Sequence, residues 1–219
     1  MQQIFSPNSP IGRWLAFFLD ALFICLAWTV CSLPIVTIGA STAALHRVAQ
    51  NWMRERSDCD LKTYLRSFKE NLKGGTAVWL ILLVPLAIIL LNAYIVWIAS
   101  VETPEIAKWM VFVTAFLWMA TAVYTFALQA IFENTPMRTV TNALRIAVSH
   151  LTTTLILVLL FCAAIFCTLL FPLGSFLYVP ACVFLSARPV WGVFSKVMDS
   201  SQAEAEETDR EEHKEENNE

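Results

Sequence analysis

Charge is what this chain has least of. Only 15% of its 219 residues are Asp, Glu, Lys or Arg, against about 25% in soluble domains. The deficit is concentrated. Residues 76–100, 109–132 and 151–171 carry no charge at all, and residues 173–187 form a shorter charge-free run. Each of the first three exceeds the roughly 20 residues that cross about 30 Å of hydrocarbon as a helix. A soluble core has no use for several such stretches.

Motifs that carry chemistry are missing too. No two of Cys25, Cys31, Cys59, Cys162, Cys167 and Cys182 form a C-x-x-C pair. All but Cys59 lie in apolar runs, where cysteine behaves as a small hydrophobe. His46 and His150 lack H-E-x-x-H spacing and a cysteine partner, which argues against a metal site. Ser41, Ser149 and Ser175 sit in no nucleophile motif, and Gly74-Gly75 is not followed by the Lys-Ser or Lys-Thr of a P-loop. No catalytic residue and no cofactor are expected, so the chain reads as a non-enzyme.

What is present is a membrane pattern. A fifth apolar run, residues 14–33, contains Asp20 as its only charge. The run is long and is led by a single Arg13, so it reads as a span and not as a cleaved leader, despite the small residues at 39–43. The expected fold is an all-α membrane protein with five transmembrane helices. Residues 101–108, with Pro104, join spans two and three as a hairpin, and residues 172–175 join spans four and five. The fifth span is short and holds Pro180, with Arg188 placed to snorkel.

Lys and Arg accumulate on the cytoplasmic side of a membrane. Arg47, Arg54, Arg56, Lys62, Arg66, Lys69 and Lys73 follow span one, Arg138 and Arg145 follow span three, and Arg188 and Lys196 follow span five. The opposite face has only Arg13 and Lys108. This bias puts the C-terminus in the cytoplasm and the N-terminus outside. Residues 1–198 form the membrane domain, with net charge +5, and residues 199–219 an acidic tail of net charge −8. Such a tail is expected to be disordered.

The loop between spans one and two predicts two cytoplasmic amphipathic helices. The first starts at a Ser41 or Thr42 cap and runs to about Glu55. The second covers residues 60–73, with Leu61, Tyr64, Leu65, Phe68 and Leu72 at helical spacing and Gly74-Gly75 as the break before span two. Lys62, Arg66, Lys69 and Lys73 lie off that stripe. The arrangement suits a helix in the headgroup layer of the bilayer or a partner-docking surface made of Leu61, Tyr64, Leu65, Phe68 and Lys69. Nucleic acid is not an expected partner, because these basic residues also serve topology. Residues 138–149, with Val140, Leu144 and Val148 on one side, lead into span four in a similar way. Ser67-Phe68-Lys69 overlays Ala143-Leu144-Arg145 with thin identity, and Thr76 then meets Thr152.

Leu33-Pro34-Ile35-Val36-Thr37-Ile38-Gly39-Ala40-Ser41-Thr42-Ala43-Ala44-Leu45 is the most distinctive string. Pro34 and Gly39 mark a turn out of span one. With Ser67-Phe68-Lys69-Glu70-Asn71-Leu72-Lys73, this string resembles the YesL-like family of bacterial membrane proteins, whose function is unknown. The resemblance covers roughly residues 10–195. Leu72 departs from it, standing where an aromatic is more usual. It implies a small multi-pass protein of the bacterial cell membrane. It also implies an association with carbohydrate uptake through neighbouring ABC-transporter genes, and it supplies no catalytic residues.

Three polar residues remain inside the spans. Asp20 would cost roughly 2.5–3.5 kcal/mol at a helix centre and calls for a structural partner or a coupling role. Asn92 and Gln129 are expected to bond between helices. The leading functional expectation is an accessory component of sugar uptake, in contact with the lipid bilayer and with an ABC-transporter permease. The alternative is a small permease or channel, a homo-oligomer or a cavity lined by Asp20, Asn92 and Gln129.

Overall fold

The computed structural model describes residues 10–55, 60–99, 103–132 and 134–216, with side chains described for 19–54, 60–99, 103–132, 134–172 and 174–199. Every regular element among them is helical. The order is α1 (Pro10–Ser32), α2 (Ile38–Glu55), α3 (Leu61–Trp97), α4 (Glu105–Ile131), α5 (Pro136–Ser149), α6 (Leu151–Leu170) and α7 (Ser175–Glu216). One turn of 3-10 helix, Ile35–Thr37, precedes α2, and another, Pro172–Gly174, precedes α7.

Four helices are long and apolar enough to cross a bilayer: α3, α4, α6 and the Ser175–Asp199 part of α7. Their outer faces are apolar. Leu80, Val84, Ile88, Leu91 and Ile95 form an exposed stripe along α3, and Leu155, Leu159, Phe166 and Leu169 lie exposed on α6. Such area would be an aggregation liability in water, whereas hydrocarbon solvates it. The described apolar part of α1 is the shorter segment Leu19–Ser32. The last span is longer than the expected 173–187, because neither Pro180 nor Pro189 ends the helix. The α7 backbone stays helical through the acidic segment to Glu216, a stretch rich in Glu, which favours helix.

Two expectations about the first loop are corrected. Residues 60–73 are not a separate helix. They are the first turns of α3, which Asp60 caps by accepting from the Lys62 amide at 3.1 Å. Gly74-Gly75 does not break it, since a glycine inside a helix costs only about 1 kcal/mol. Both glycines serve close approach instead. A Cβ on Gly75 would lie 2.7 Å from Ala40 Cα, and one on Gly74 would lie 2.7 Å from Gln129 Nε2. Gly39 faces the same crossing, where a Cβ would strike the Gly75 carbonyl and come within 2.5 Å of Trp79 Cβ.

The second correction concerns the start and the surroundings of α2. This helix is packed among α1, α3, α4 and α7. Ala40, Ala43, Ala44, Leu45, Val48 and Ala49 are buried, and their small side chains let neighbouring backbones approach. The helix begins at Ile38, so Ser41 is an internal residue and not the cap. Pro34 (φ −74°, ψ 118°) makes the expected turn, which Thr37 holds by donating to the Cys31 carbonyl at 2.7 Å. Trp79 of α3 donates to the Ile35 carbonyl at 2.9 Å.

One core cluster joins α1, α2, α3 and α7 around Ile24, Leu45, Tyr64 and Val183. A second joins α4, α5, α6 and α7 around Tyr124, Ile146, Leu157 and Phe194. A third, Val78, Leu82, Ala122 and Phe126, seals α3 against α4. Helix α5 buries Thr139, Ala143, Ile146 and Ala147 and leaves Met137, Leu144 and Val148 exposed, so it turns an apolar face outward beside Arg138 and Arg145. We call the end of the bundle that carries α2, α5, the start of α3 and the close of α4 the basic end.

Candidate polar site at the basic end

Most of the side chains that hydrogen-bond between helices lie at this end. Ser41 Oγ lies 2.7 Å from Tyr64 Oη, 3.0 Å from Ser32 Oγ and 3.2 Å from the Trp28 carbonyl. A serine has one proton to give. If it goes to the carbonyl, Ser41 accepts from Ser32 and from Tyr64, and all three hydroxyls are satisfied. This knot pins α1, α2 and α3 together.

A second polar group is only partly satisfied. A cleft of about 410 Å³ is lined by Arg47, Glu70, Asn71, Gln129, Asn134 and Thr135, with Phe132 as an apolar wall. Gln129 Nε2 donates to Asn71 Oδ1 at the long distance of 3.5 Å, and Asn71 donates to the Ser67 carbonyl at 3.0 Å. Gln129 Oε1 is buried without a protein partner. A smaller cavity of about 80 Å³ adjoins, sharing Arg47 and Ile131 and lined also by Gln50, Asn51 and Arg54. Gln50 is 1% exposed, and neither its Oε1 nor its Nε2 has a protein partner. Leaving such a group unpaired costs about 1–3 kcal/mol, and these amides share that state with His46 Nδ1 and Thr76 Oγ1.

The charges here are set by the helices. Arg47 Nη1 donates to the Ala130 carbonyl at 3.2 Å, meeting the negative end of the α4 dipole. Arg54 stacks over Trp191, 4.4 Å from the ring centre. Neither has a carboxylate within ion-pair distance among the described residues. Glu70, at the rim, is held by Arg66 at 3.0 Å. One turn before Gln50, His46 is buried with Nδ1 unpartnered. Burial alone pushes its imidazole down from 6.5 to about 4, so it is neutral near pH 7.

The residues expected to share a polar cavity do not. Asn92 is exposed and donates back to the Ile88 carbonyl of its own helix at 2.8 Å, and the expected interhelical bond does not occur among the described residues. It lies 21 positions beyond Asn71 on α3, about 30 Å along the axis, whereas Gln129 contacts Asn71. Asp20 is half-buried on α1, and its carboxylate makes no hydrogen bond or ion pair among the described residues. The docking stripe is divided. Tyr64 is fully buried, with Leu61 and Phe68 packed on the same cluster, and only Leu65 and Lys69 remain exposed. Leu61, Leu65, Lys69 and Glu70 line a shallow groove of about 650 Å³. No group of three or more potential metal ligands occurs among the described residues, and the described cysteines form no disulfide.

Sequence reasoning passed over Arg47, Gln50 and Asn71. The signal available was the i, i+4 pair His46 and Gln50 on the same side of α2 as its alanines. A polar pair on the small-residue face of a helix is a sign of burial, because small residues mark close packing.

No curated protein and no solved structure matches the chain. A family model described as a protein of unknown function, DUF624, matches residues 17–93, so the chain is similar to that family across α1, α2 and most of α3.

Proposed function

We propose that this chain is a five-span accessory protein of a bacterial cell membrane that works by contact at its basic end, and that α1 is the fifth span. The observation that carries this reading is where the polar side chains sit. Inside the apolar spans, Asn92 and Thr114 bond within their own helix. Most of those that reach between helices lie at one end, while Trp118, donating to the Leu82 carbonyl at 2.9 Å, and Cys182, to the Leu160 carbonyl at 3.7 Å, do so within the spans. The arrangement concentrates recognition at the end rich in Lys and Arg. The positive-inside rule places that end in the cytoplasm, with the C-terminus. Sugar uptake as the setting, with an ABC-transporter permease as the partner, rests on the family resemblance alone, which is an associational warrant. No enzymatic activity is proposed.

The exposed pair Leu65 and Lys69 is the surface to alter, because neither fills the core. The test is quantitative mass spectrometry of what co-purifies in mild detergent with the full chain and with a Leu65→Asp, Lys69→Glu variant. Stoichiometric recovery of a sugar permease with the parent chain, lost in the variant, is the expected result. Recovery of the chain alone would reject contact. Asp20 favours the competing reading, a permease in its own right, because it is an intramembrane acid without a described partner. Solute uptake by reconstituted vesicles that disappears in Asp20→Asn would establish that reading.

A further inference from the structure

We infer that the cleft at the basic end binds the phosphate ester of a small polyol. The inference does not depend on a partner protein or on the direction of insertion. Two cavities meet at Arg47, one of about 410 Å³ and one of about 80 Å³. The larger falls within the range of small-molecule sites. Amides with buried atoms that lack a protein partner flank Arg47 on both sides, Gln129 (Oε1) in the wall of the larger cavity and Gln50 (both amide atoms) in that of the smaller. A ligand that only filled space would leave these atoms unpaired, so the occupant carries hydrogen-bonding groups.

The charge of the occupant follows from the lining. A guanidinium has five donors, and among the described residues Arg47 uses one of them, on the Ala130 carbonyl. Arg54 adds a second cation at the smaller cavity, while the rim carboxylate of Glu70 is already paired with Arg66. Among the described residues the uncompensated charge is positive, which favours an anion and disfavours a metal ion. Arginine matches phosphate geometry with parallel donors. Around it, Asn71, Gln129 and Asn134 each offer a donor and an acceptor, and Thr135 offers a hydroxyl. Paired donor–acceptor groups suit hydroxyls, which also do both. The phosphate therefore sits on Arg47 and the hydroxyls on the amides. Gly74 lies beside the cleft, where a Cβ would come within 2.7 Å of Gln129 Nε2 and press on that amide. Two sources supply this chemistry, a free polyol phosphate or the glycerol-phosphate headgroup of phosphatidylglycerol in the surrounding leaflet.

The test uses the full chain. In non-ionic detergent, thermal unfolding is followed with sn-glycerol 3-phosphate and with glycerol. In parallel, the chain is placed in nanodiscs of phosphatidylcholine with and without phosphatidylglycerol, and retained lipid is measured by native mass spectrometry. A rise in Tm with sn-glycerol 3-phosphate, and none with glycerol, identifies a free ligand. Selective retention of phosphatidylglycerol without that rise identifies the lipid. Either effect should weaken at least tenfold in Arg47→Gln and in Gln129→Met, and persist in Asn92→Leu, which lies far from the cleft. The Gln129 variant keeps the side-chain volume, so binding remains testable if loss of the Arg47–Ala130 bond disturbs the fold. No effect from either source, an equal effect of glycerol, or unchanged binding in both variants would overturn the assignment and leave a cleft filled by water.

Discussion

Helices α2 and α6 exchange the roles their compositions suggest. Helix α2 carries His46, Arg47, Gln50, Asn51 and Arg54, yet sits among four other helices. Helix α6 has no charged residue in twenty positions, yet much of its surface faces outward. In water the apolar helix would be the one to hide. In hydrocarbon there is no hydrophobic gain from burying leucine, so close packing and hydrogen bonds decide what lies inside. The small residues of α2 supply the packing, Arg47 finds a protein partner, Gln50 borders the smaller cavity, and His46 is buried in neutral form.

The largest effect should come from closing the α2–α3 crossing. Gly75→Leu drives a side chain into the Ala40 backbone and is expected to cost about 3 kcal/mol or more, read as loss of monodisperse protein in detergent. A Gly192→Leu control is expected to fold, since a Cβ there meets nothing within 4 Å.

The next effect is on pH. The His46 pKa is about 4 in the folded chain, against 6.5 when exposed. As pH falls, the unfolded chain takes the proton first. The contribution of neutral His46 is therefore complete above about pH 6.5 and is lost progressively down to about pH 4. Between pH 7 and pH 5 the loss should be about 2 kcal/mol, measured by denaturation in detergent, and His46→Leu should flatten that slope.

Tyr64→Phe removes one donor from the Ser41 knot. The remaining serine bonds persist, so about 1 kcal/mol is expected, read as a modest fall in Tm. Smallest of all, Leu159→Ala on the outer face of α6 should change stability by less than about 0.5 kcal/mol. A large loss at Leu159 would break the comparison, because it would mean that α6 is covered by another chain.

Much of the frame was legible in the charge-free runs, which gave the four long apolar helices and the hairpins between them. The Pro34 turn was legible as well. The position of α2 was not. An amphipathic pattern shows that a helix has two faces, but not what covers the second face, and here the cover comes from α4 and α7, distant in sequence. Gly74-Gly75 misled for a related reason. Flexibility and close approach call for the same residue, and only the opposing Ala40 and Gln129 separate the two. In the candidate site, Gln129 was identified as polar but paired with the wrong residues. Asn92 bonds to its own helix, a local solution that composition cannot distinguish from an interhelical bond.

The burial of α2 has a consequence for the order of assembly. Its cover includes Val183 and Ala187 of α7, made about 130 residues after α2 leaves the ribosome. At about 5–20 residues per second, that is a wait of roughly ten seconds. A helix as apolar as α6 would enter the lipid on its own in that time. Helix α2, held back by His46, Arg47 and Gln50, should stay at the water boundary until its last neighbour arrives. Cysteine labelling should therefore reach Ala44→Cys in chains truncated before residue 175 and miss it in the full chain. On this view the polarity of α2 keeps time for the bundle, holding the central position open until the C-terminal helix closes it.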